Sequence, residues 1–172
     1  FSPRELDEAL GLRIPRYFCG DLLQRLPPAF HSKYRDSWPS LFIGPAGTTS
    51  PLHVDSFGSH FWMALTQGRK RWRLFPRQSA PFLYPRYFEG SPDPSFQVDP
   101  DRPDTRRFPL FEKACESGYL CTMEAGDLIF VPALCPHQVE NLETTCALSA
   151  NYVDATNLAL ALKELEEQSL WA

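Results

Sequence analysis

The residues of this chain best suited to chemistry include two of its four histidines. In Pro51-Leu52-His53-Val54-Asp55 an imidazole and a carboxylate stand two residues apart on a strand expected over Leu52–Ser56, and the two-residue period of a strand turns both to one face. His137 closes Phe130-Val131-Pro132-Ala133-Leu134-Cys135-Pro136-His137, just after another expected strand that would lie across a barrel. Two imidazoles and one carboxylate are the facial donor set of a non-haem ferrous centre, which leaves three positions for co-substrate, water and O₂. An H-x-D pair on a strand also serves purely structural ends, so the surroundings must decide.

Lys70 supplies the next piece. It follows the turn Gln67-Gly68-Arg69, in a strand expected to pair with the one after His53 and Asp55, so its ammonium can be aimed into the mouth of the same barrel. A cation there matches a dicarboxylate that chelates the metal at one end and needs a charge-assisted partner at the other. Ser50 or Thr49 and, on the last strand, Ser149 are the hydroxyls placed to complete the pocket. On that strand Ala147, Ser149 and Asn151 share one face, read as the inner one, while Cys146, Leu148, Ala150 and Tyr152 share the other. The competing reading of Lys70 is a solvated charge among Arg69, Arg71 and Arg73, whose alternation sends those three arginines outward.

The elements that must hold these groups come from 172 residues, 43% hydrophobic and 13% aromatic, enough for one globular domain with a sizeable core. Seventeen prolines argue against a helical bundle. A net charge of −4 argues against a generally nucleic-acid-coating or membrane-surface protein. No apolar run approaches the ~20 residues of a membrane span, and the start at Phe1 shows neither an initiator Met nor a signal-peptide pattern, as in a domain cut from a longer chain. Five cysteines, an odd number with no CxxC pair, read as reduced thiols of the nucleus or cytoplasm.

Residues 1–40 read as a flanking segment with helical turns at Glu5–Leu10 and Asp21–Leu26. Residues 41–153 read as a barrel core, with strands at Leu41–Ile43, Leu52–Ser56, Ser59–Thr66, Lys70–Phe75, Tyr119–Met123, Asp127–Val131, Gln138–Glu140 and Thr145–Val153. Residues 76–118 are too proline-rich for regular structure beyond one short helix near Pro109–Cys115, so they read as a long connection whose Tyr84, Tyr87, Phe88 and Phe96 either cover a substrate or pack on the barrel. Residues 154–172 form a terminal helix capped by Asp154 or Thr156. Its Leu158, Leu162, Leu165 and Ser169 lie along one stripe, whose leucines dock on the barrel or pair with a second copy, and Glu164, Glu166 and Glu167 form a solvated face. About eight short strands and a closing helix make a mainly β chain, a double-stranded β-helix of the jelly-roll or cupin kind, in preference to an immunoglobulin-like sandwich.

Four segments in order, Gly44-Pro45-Ala46-Gly47-Thr48-Thr49-Ser50-Pro51-Leu52-His53-Val54-Asp55, Gln67-Gly68-Arg69-Lys70-Arg71-Trp72-Arg73-Leu74-Phe75-Pro76, Gln97-Val98-Asp99 with Arg107-Phe108-Pro109, and Gly126-Asp127-Leu128-Ile129-Phe130-Val131-Pro132 up to His137, resemble the JmjC-domain Fe(II)/2-oxoglutarate oxygenases. The likeness runs from about Phe18 to Val153 and is strongest to the compact hydroxylase branch that holds the Jumonji lysyl hydroxylases and the asparaginyl hydroxylase factor inhibiting HIF.

The resemblance implies His53, Asp55 and His137 as iron ligands and Lys70, Ser50, Ser149 and Asn151 as co-substrate residues. It also implies Fe(II), 2-oxoglutarate and O₂ as cofactor and co-substrates, and a protein side chain as the group hydroxylated. N-methyl demethylation, RNA hydroxylation and a turnover-deficient binding domain are the alternatives of the same fold; a zinc cupin isomerase is a minor one. Three departures bear on the site: Leu134-Cys135-Pro136 stands where relatives carry an aromatic before the distal His, Met63 or a neighbour replaces a co-substrate Asn whose contact His60 could take over, and a co-substrate Tyr would map at or before Phe1.

Overall fold

The structure is a computed structural model that describes residues 14–25, 39–89 and 91–169; the helical turn expected at Glu5–Leu10 lies outside them. Ten strands occur among these residues: β1 Ser40–Gly44, β2 Thr49–His53, β3 His60–Gln67, β4 Arg69–Leu74, β5 Pro85–Phe88, β6 Ser91–Phe96, β7 Tyr119–Glu124, β8 Leu128–Val131, β9 His137–Asn141 and β10 Thr145–Tyr152. Two α-helices, α1 Phe111–Cys115 and α2 Leu158–Ser169, accompany them. Eight strands form two four-stranded antiparallel sheets, ordered β1-β10-β3-β8 and β2-β9-β4-β7, as in the double-stranded β-helix expected. Alternate residues of both sheets meet between them: Phe61, Met63 and Leu65 of β3, Ala147 of β10, Trp72 of β4 and Met123 of β7 form one buried cluster with Val131 and Cys135.

One expectation about connectivity fails, and the failure moves Lys70. β3 and β4 do not form a hairpin; they belong to different sheets, and β4 pairs with β7 and β9. Gly68 takes φ +82, and a Cβ there would stand 2.3 Å from the Thr144 carbonyl oxygen, so a side chain has neither the dihedral nor the room at this corner. A glycine turn between two apolar runs looks the same in sequence whether it closes a hairpin or crosses from sheet to sheet. β2 likewise starts three residues before its expected position and ends at His53. Pro51 has no N–H for the ladder, and the β2–β9 register shifts between Ser50 and His53.

The 76–118 connection is more ordered than its eight prolines promise. A 3₁₀ turn over Arg77–Leu83 leads into the β5–β6 hairpin, and the expected short helix appears as α1. Leu52, Phe75, Leu83, Val98, Phe108 and Phe111 bury together there, with Tyr84 and Phe96 packed against them, so the latter two aromatics pack the connection onto the barrel. Tyr87 and Phe88 are exposed.

The terminal helix begins at Leu158, after Asn157, whose side chain accepts the Asp154 N–H at 2.8 Å. It docks through Ala161 and Glu164, with Leu160 against Gly58, and leaves Leu158, Leu162 and Leu165 exposed. Glu164 is therefore not part of a solvated face: it is 7% exposed and takes a hydrogen bond from the Gly58 N–H. Burial, with Asp93 and Glu167 nearby, pushes its carboxyl up to about 7 against the opposing pull of Arg77. No helix among the described residues is long and apolar enough to cross a membrane.

Candidate metal centre

β2 and β9 lie side by side with His53 directly opposite His137, and the imidazole centroids are 4.2 Å apart. His137 opens β9, so it neighbours the first histidine within one sheet; it does not face it across the barrel. Asp55 lies just beyond β2 in extended backbone, which keeps its carboxylate turned to the same side. One ligand atom from each of His53, Asp55 and His137 falls within 4.8 Å of the others.

The tautomers are settled by the backbone. His53 Nδ1 lies 2.7 Å from the Pro51 carbonyl oxygen and His137 Nδ1 3.0 Å from that of Cys135; a carbonyl only accepts, so each Nδ1 carries the proton. In the neutral ring Nε2 then presents a bare lone pair, the form in which histidine binds metal, with its other nitrogen held as metal-binding histidines are held. Burial and the neighbouring His53 pull the His137 imidazolium pKa down to about 3, so the ring stays neutral across the working range. Asp55 Oδ2 is buried without a partner among the described residues, and burial raises its carboxyl while His53 and the Asn151 amide pull it down. Two oriented lone pairs and an under-satisfied buried carboxylate fit a divalent cation.

These groups open on a cavity of about 370 Å³ lined by Ser50, His53, Asp55, Phe61, Met63, Lys70, Trp72, His137, Val139, Asn141 and Asn151, with Phe42, Thr48 and Thr49. Phe61 and Trp72 stack beside His137 at 6.3 and 5.8 Å, and they form the aromatic wall that Leu134-Cys135-Pro136 lacks. Cys135 is a buried packing residue whose thiol donates to the Phe75 carbonyl.

Lys70 is 5% exposed and lies opposite Asn141 in the β4–β9 register. Among the described residues no carboxylate lies within ion-pair distance of it, and burial lowers its ammonium pKa. Arg69, Arg71 and Arg73 alternate outward as expected. Arg69 pairs with Glu143, Arg71 with Glu140 and Asp101, and Arg73 with Asp101.

The remaining expected residues divide. Ser50 reaches the cavity, but its hydroxyl accepts the Val139 N–H at 3.1 Å and so repairs the ladder where Pro51 interrupts it. Asn151 reaches the cavity as a support for Asp55, with its amide also donating to Ser59 Oγ at 3.0 Å. Ser149 is not in the cavity wall: it is fully buried on the inner-facing side of β10, and its cross-strand neighbour Met63 lines the cavity at that level. His60 does not replace the missing Asn. The alternation that turns Phe61 and Met63 inward turns His60 outward, where its Nδ1 accepts the Ala133 N–H and its Nε2 meets Thr156 Oγ1. Asn141, Thr48 and Trp72 were missed, although Asn141 follows His137 by an even number of strand residues and so had to share its face.

A jelly-roll barrel whose inner wall gathers two histidines, one carboxylate and a buried lysine is a cupin-type site. Residues 13–157 match the family model described as Cupin-like domain, and the chain belongs to that family. It is 31% identical over 156 residues to the 2-oxoglutarate and iron-dependent oxygenase JMJD4 of Danio rerio, a match covering 91% of this chain and 35% of that protein. It is 35% identical over 126 residues to HSPB1-associated protein 1 of Rattus norvegicus, across 73% of this chain and 26% of that one. To the arginine-specific demethylase JMJ20 of Arabidopsis thaliana it is 34% identical over 119 residues, 69% of this chain and 24% of the relative. The chain thus spans about a third or less of the length of the curated relatives it matches. The names of the first and third agree with the JmjC-type resemblance of the motifs.

Proposed function

We propose that this chain is the catalytic domain of an Fe(II)- and 2-oxoglutarate-dependent oxygenase that hydroxylates a side chain of a protein substrate. The observation that carries the reading is the convergence of ligand atoms of His53, Asp55 and His137, with both Nδ1 atoms hydrogen-bonded to carbonyl oxygens. His53, Asp55 and His137 would hold the iron, which when bound supplies O₂ activation coupled to oxidation of 2-oxoglutarate to succinate and CO₂.

The chain's own residues set the conditions for that chemistry. Trp72 and Phe61 keep the His137 ring flat against an apolar wall and limit water beside it. Asn151 holds the Asp55 carboxylate, and Lys70 takes the distal carboxylate of the co-substrate in a charge-assisted hydrogen bond. Lys70 and His137 lie four residues apart along the β4–β9 ladder, about 13 Å by strand rise, and both line the same cavity.

A protein substrate is supported by the name of the relative HSPB1-associated protein 1 and by the exposed apolar Phe42 in the cavity lining. Five free thiols and a ferrous ion fit a reducing compartment, nucleus or cytoplasm. The exposed leucines of α2 fit pairing with a second copy, which light scattering reads directly. The demethylase relative keeps one alternative: the same site acting on an N-methyl carbon.

The test is to incubate the Fe(II)-loaded protein with 2-oxoglutarate and candidate proteins, RNA and methylated peptides, measuring succinate and product mass. A gain of 16 on a protein together with succinate supports the proposal. A loss of 14 replaces it with demethylation, +16 on RNA alone replaces the substrate class, and no succinate with any partner removes the enzyme reading in favour of a binding domain.

A further inference from the structure

We propose that Asn141 is the positioning residue that aims Lys70 into the cavity and that, by being a neutral acceptor, it sets the preference for a 2-oxo acid with a charged tail. The inference rests on the oxygenase reading of the site.

Its starting point is a close pair of side chains on facing strands. Asn141 Oδ1 accepts from Lys70 Nζ at 2.6 Å, inside the protein and directly across the β4–β9 ladder. The amide has one workable orientation. Its Nδ2 donates to the Pro45 carbonyl at 3.3 Å and to Thr48 Oγ1 at 3.1 Å, and the Thr48 hydroxyl itself donates to Pro45. Turning the amide over would set an NH₂ against an ammonium and an oxygen against a carbonyl.

The backbone holds the pair in place from the other side. The Gly47 N–H donates to the Asn141 carbonyl at 2.7 Å, and the Asn141 N–H to the Thr48 carbonyl at 2.9 Å. A Cβ on Gly44 would come within 2.6 Å of Asn141 Nδ2, so the turn Gly44–Thr48 approaches this amide as closely as a glycine permits. Asn141 therefore connects the turn before β2 to Lys70, the one buried cation among the described residues that line the cavity.

The chemical identity of the partner matters more than its presence. An ammonium has three N–H donors, and one is spent on Asn141. A neutral acceptor leaves the full positive charge for an incoming carboxylate, whereas an aspartate of the same size would neutralise it from within. The cavity as built is selective for an anion-tailed co-substrate, and one isosteric change should remove that selectivity.

The experiment measures binding of 2-oxoglutarate and of 2-oxohexanoate, which has a neutral tail, to Mn(II)-loaded protein by calorimetry, with no turnover needed. Wild type, Lys70→Ala, Asn141→Asp and Asn141→Ala are compared, with Mn(II) affinity and melting temperature as controls for the fold. Asn141→Asp should weaken 2-oxoglutarate at least tenfold and leave 2-oxohexanoate within about twofold, so the ratio of the two collapses. Asn141→Ala should lower the same ratio several-fold through a misaimed lysine, and it stands in if the aspartate variant does not fold. An unchanged ratio in the Asn141 variants alongside a collapsed ratio in Lys70→Ala overturns the role of Asn141 alone. An unchanged ratio in Lys70→Ala overturns the underlying assignment of the site.

Discussion

The two ends of the β4–β9 ladder hold their functional groups by opposite means. At the His137 end the imidazoles are aimed by main-chain carbonyls: each donates its Nδ1–H to the carbonyl of the residue two before it in sequence, and burial pushes His137 down to about 3. At the Lys70 end a cation sits in a buried place with no carboxylate among the described residues, aimed by a side-chain amide that is itself anchored by a turn. A metal brings positive charge to one end, so the protein supplies two imidazole lone pairs and a carboxylate there. A carboxylate arrives at the other end, so the protein must supply charge. Main-chain restraint is rigid and hard to mutate, whereas side-chain restraint exposes the second end to single substitutions.

This contrast orders the expected effects. His137→Ala or Asp55→Ala removes a donor with no substitute among the described residues that line the cavity and should abolish metal-dependent turnover, a loss of at least about a thousandfold in kcat/KM. Retention of more than a tenth of wild-type turnover would place the metal elsewhere. Lys70→Ala should raise the 2-oxoglutarate KM by about 10- to 100-fold, the worth of a hydrogen bond to a charged group, with a smaller change in kcat. An equal fall in kcat with unchanged KM would instead make Lys70 a structural charge.

Asn151→Ala leaves the donor set whole but frees the Asp55 carboxylate, so metal affinity should weaken about tenfold, read by competition with a chelator. No change in affinity would reduce Asn151 to packing. The smallest effect lies outside the ladder. Glu164 has a folded-state carboxyl pKa raised from 4.5 to about 7. The folded protein therefore binds more protons than the unfolded one between those values, and stability falls as pH rises through the window. Glu164→Gln keeps an acceptor for the Gly58 N–H, so it should match wild type near pH 4 and melt a few degrees higher at pH 8, a gain of about 1–3 kcal/mol. Equal melting temperatures at both pH values would mean that the carboxyl is relaxed.

The metal end was legible in the sequence because it depends on local arithmetic. His53 and Asp55 are two residues apart, His137 is set off by Pro136 after a strand, and a strand's period needs no tertiary knowledge to turn such groups to one face. The Lys70 end was legible as a charge but not as an arrangement. Gly68 reads as a hairpin turn, and only packing against Thr144 makes it a corner between sheets. Once β4 pairs with β9, Asn141 becomes the natural partner of Lys70. Ser149 had the right parity and the wrong neighbour, because Met63 lines the cavity at its level. Glu164 lay in a run of glutamates that reads as solvated. It shares a helix face with Leu160 and Ala161, and only the packing of that face against Gly58 shows that this is the side that docks.

The central claim is that His53, Asp55 and His137 form one ferrous site with room for a bidentate diacid. Anaerobic titration of the metal-free protein with Fe(II), followed by 2-oxoglutarate, tests it directly by counting ions bound and recording the visible absorption. One Fe(II) per chain, a new visible band that requires both Fe(II) and 2-oxoglutarate, and loss of both signals in Asp55→Ala are the predicted results. Undiminished iron binding and an unchanged band in Asp55→Ala would contradict the account.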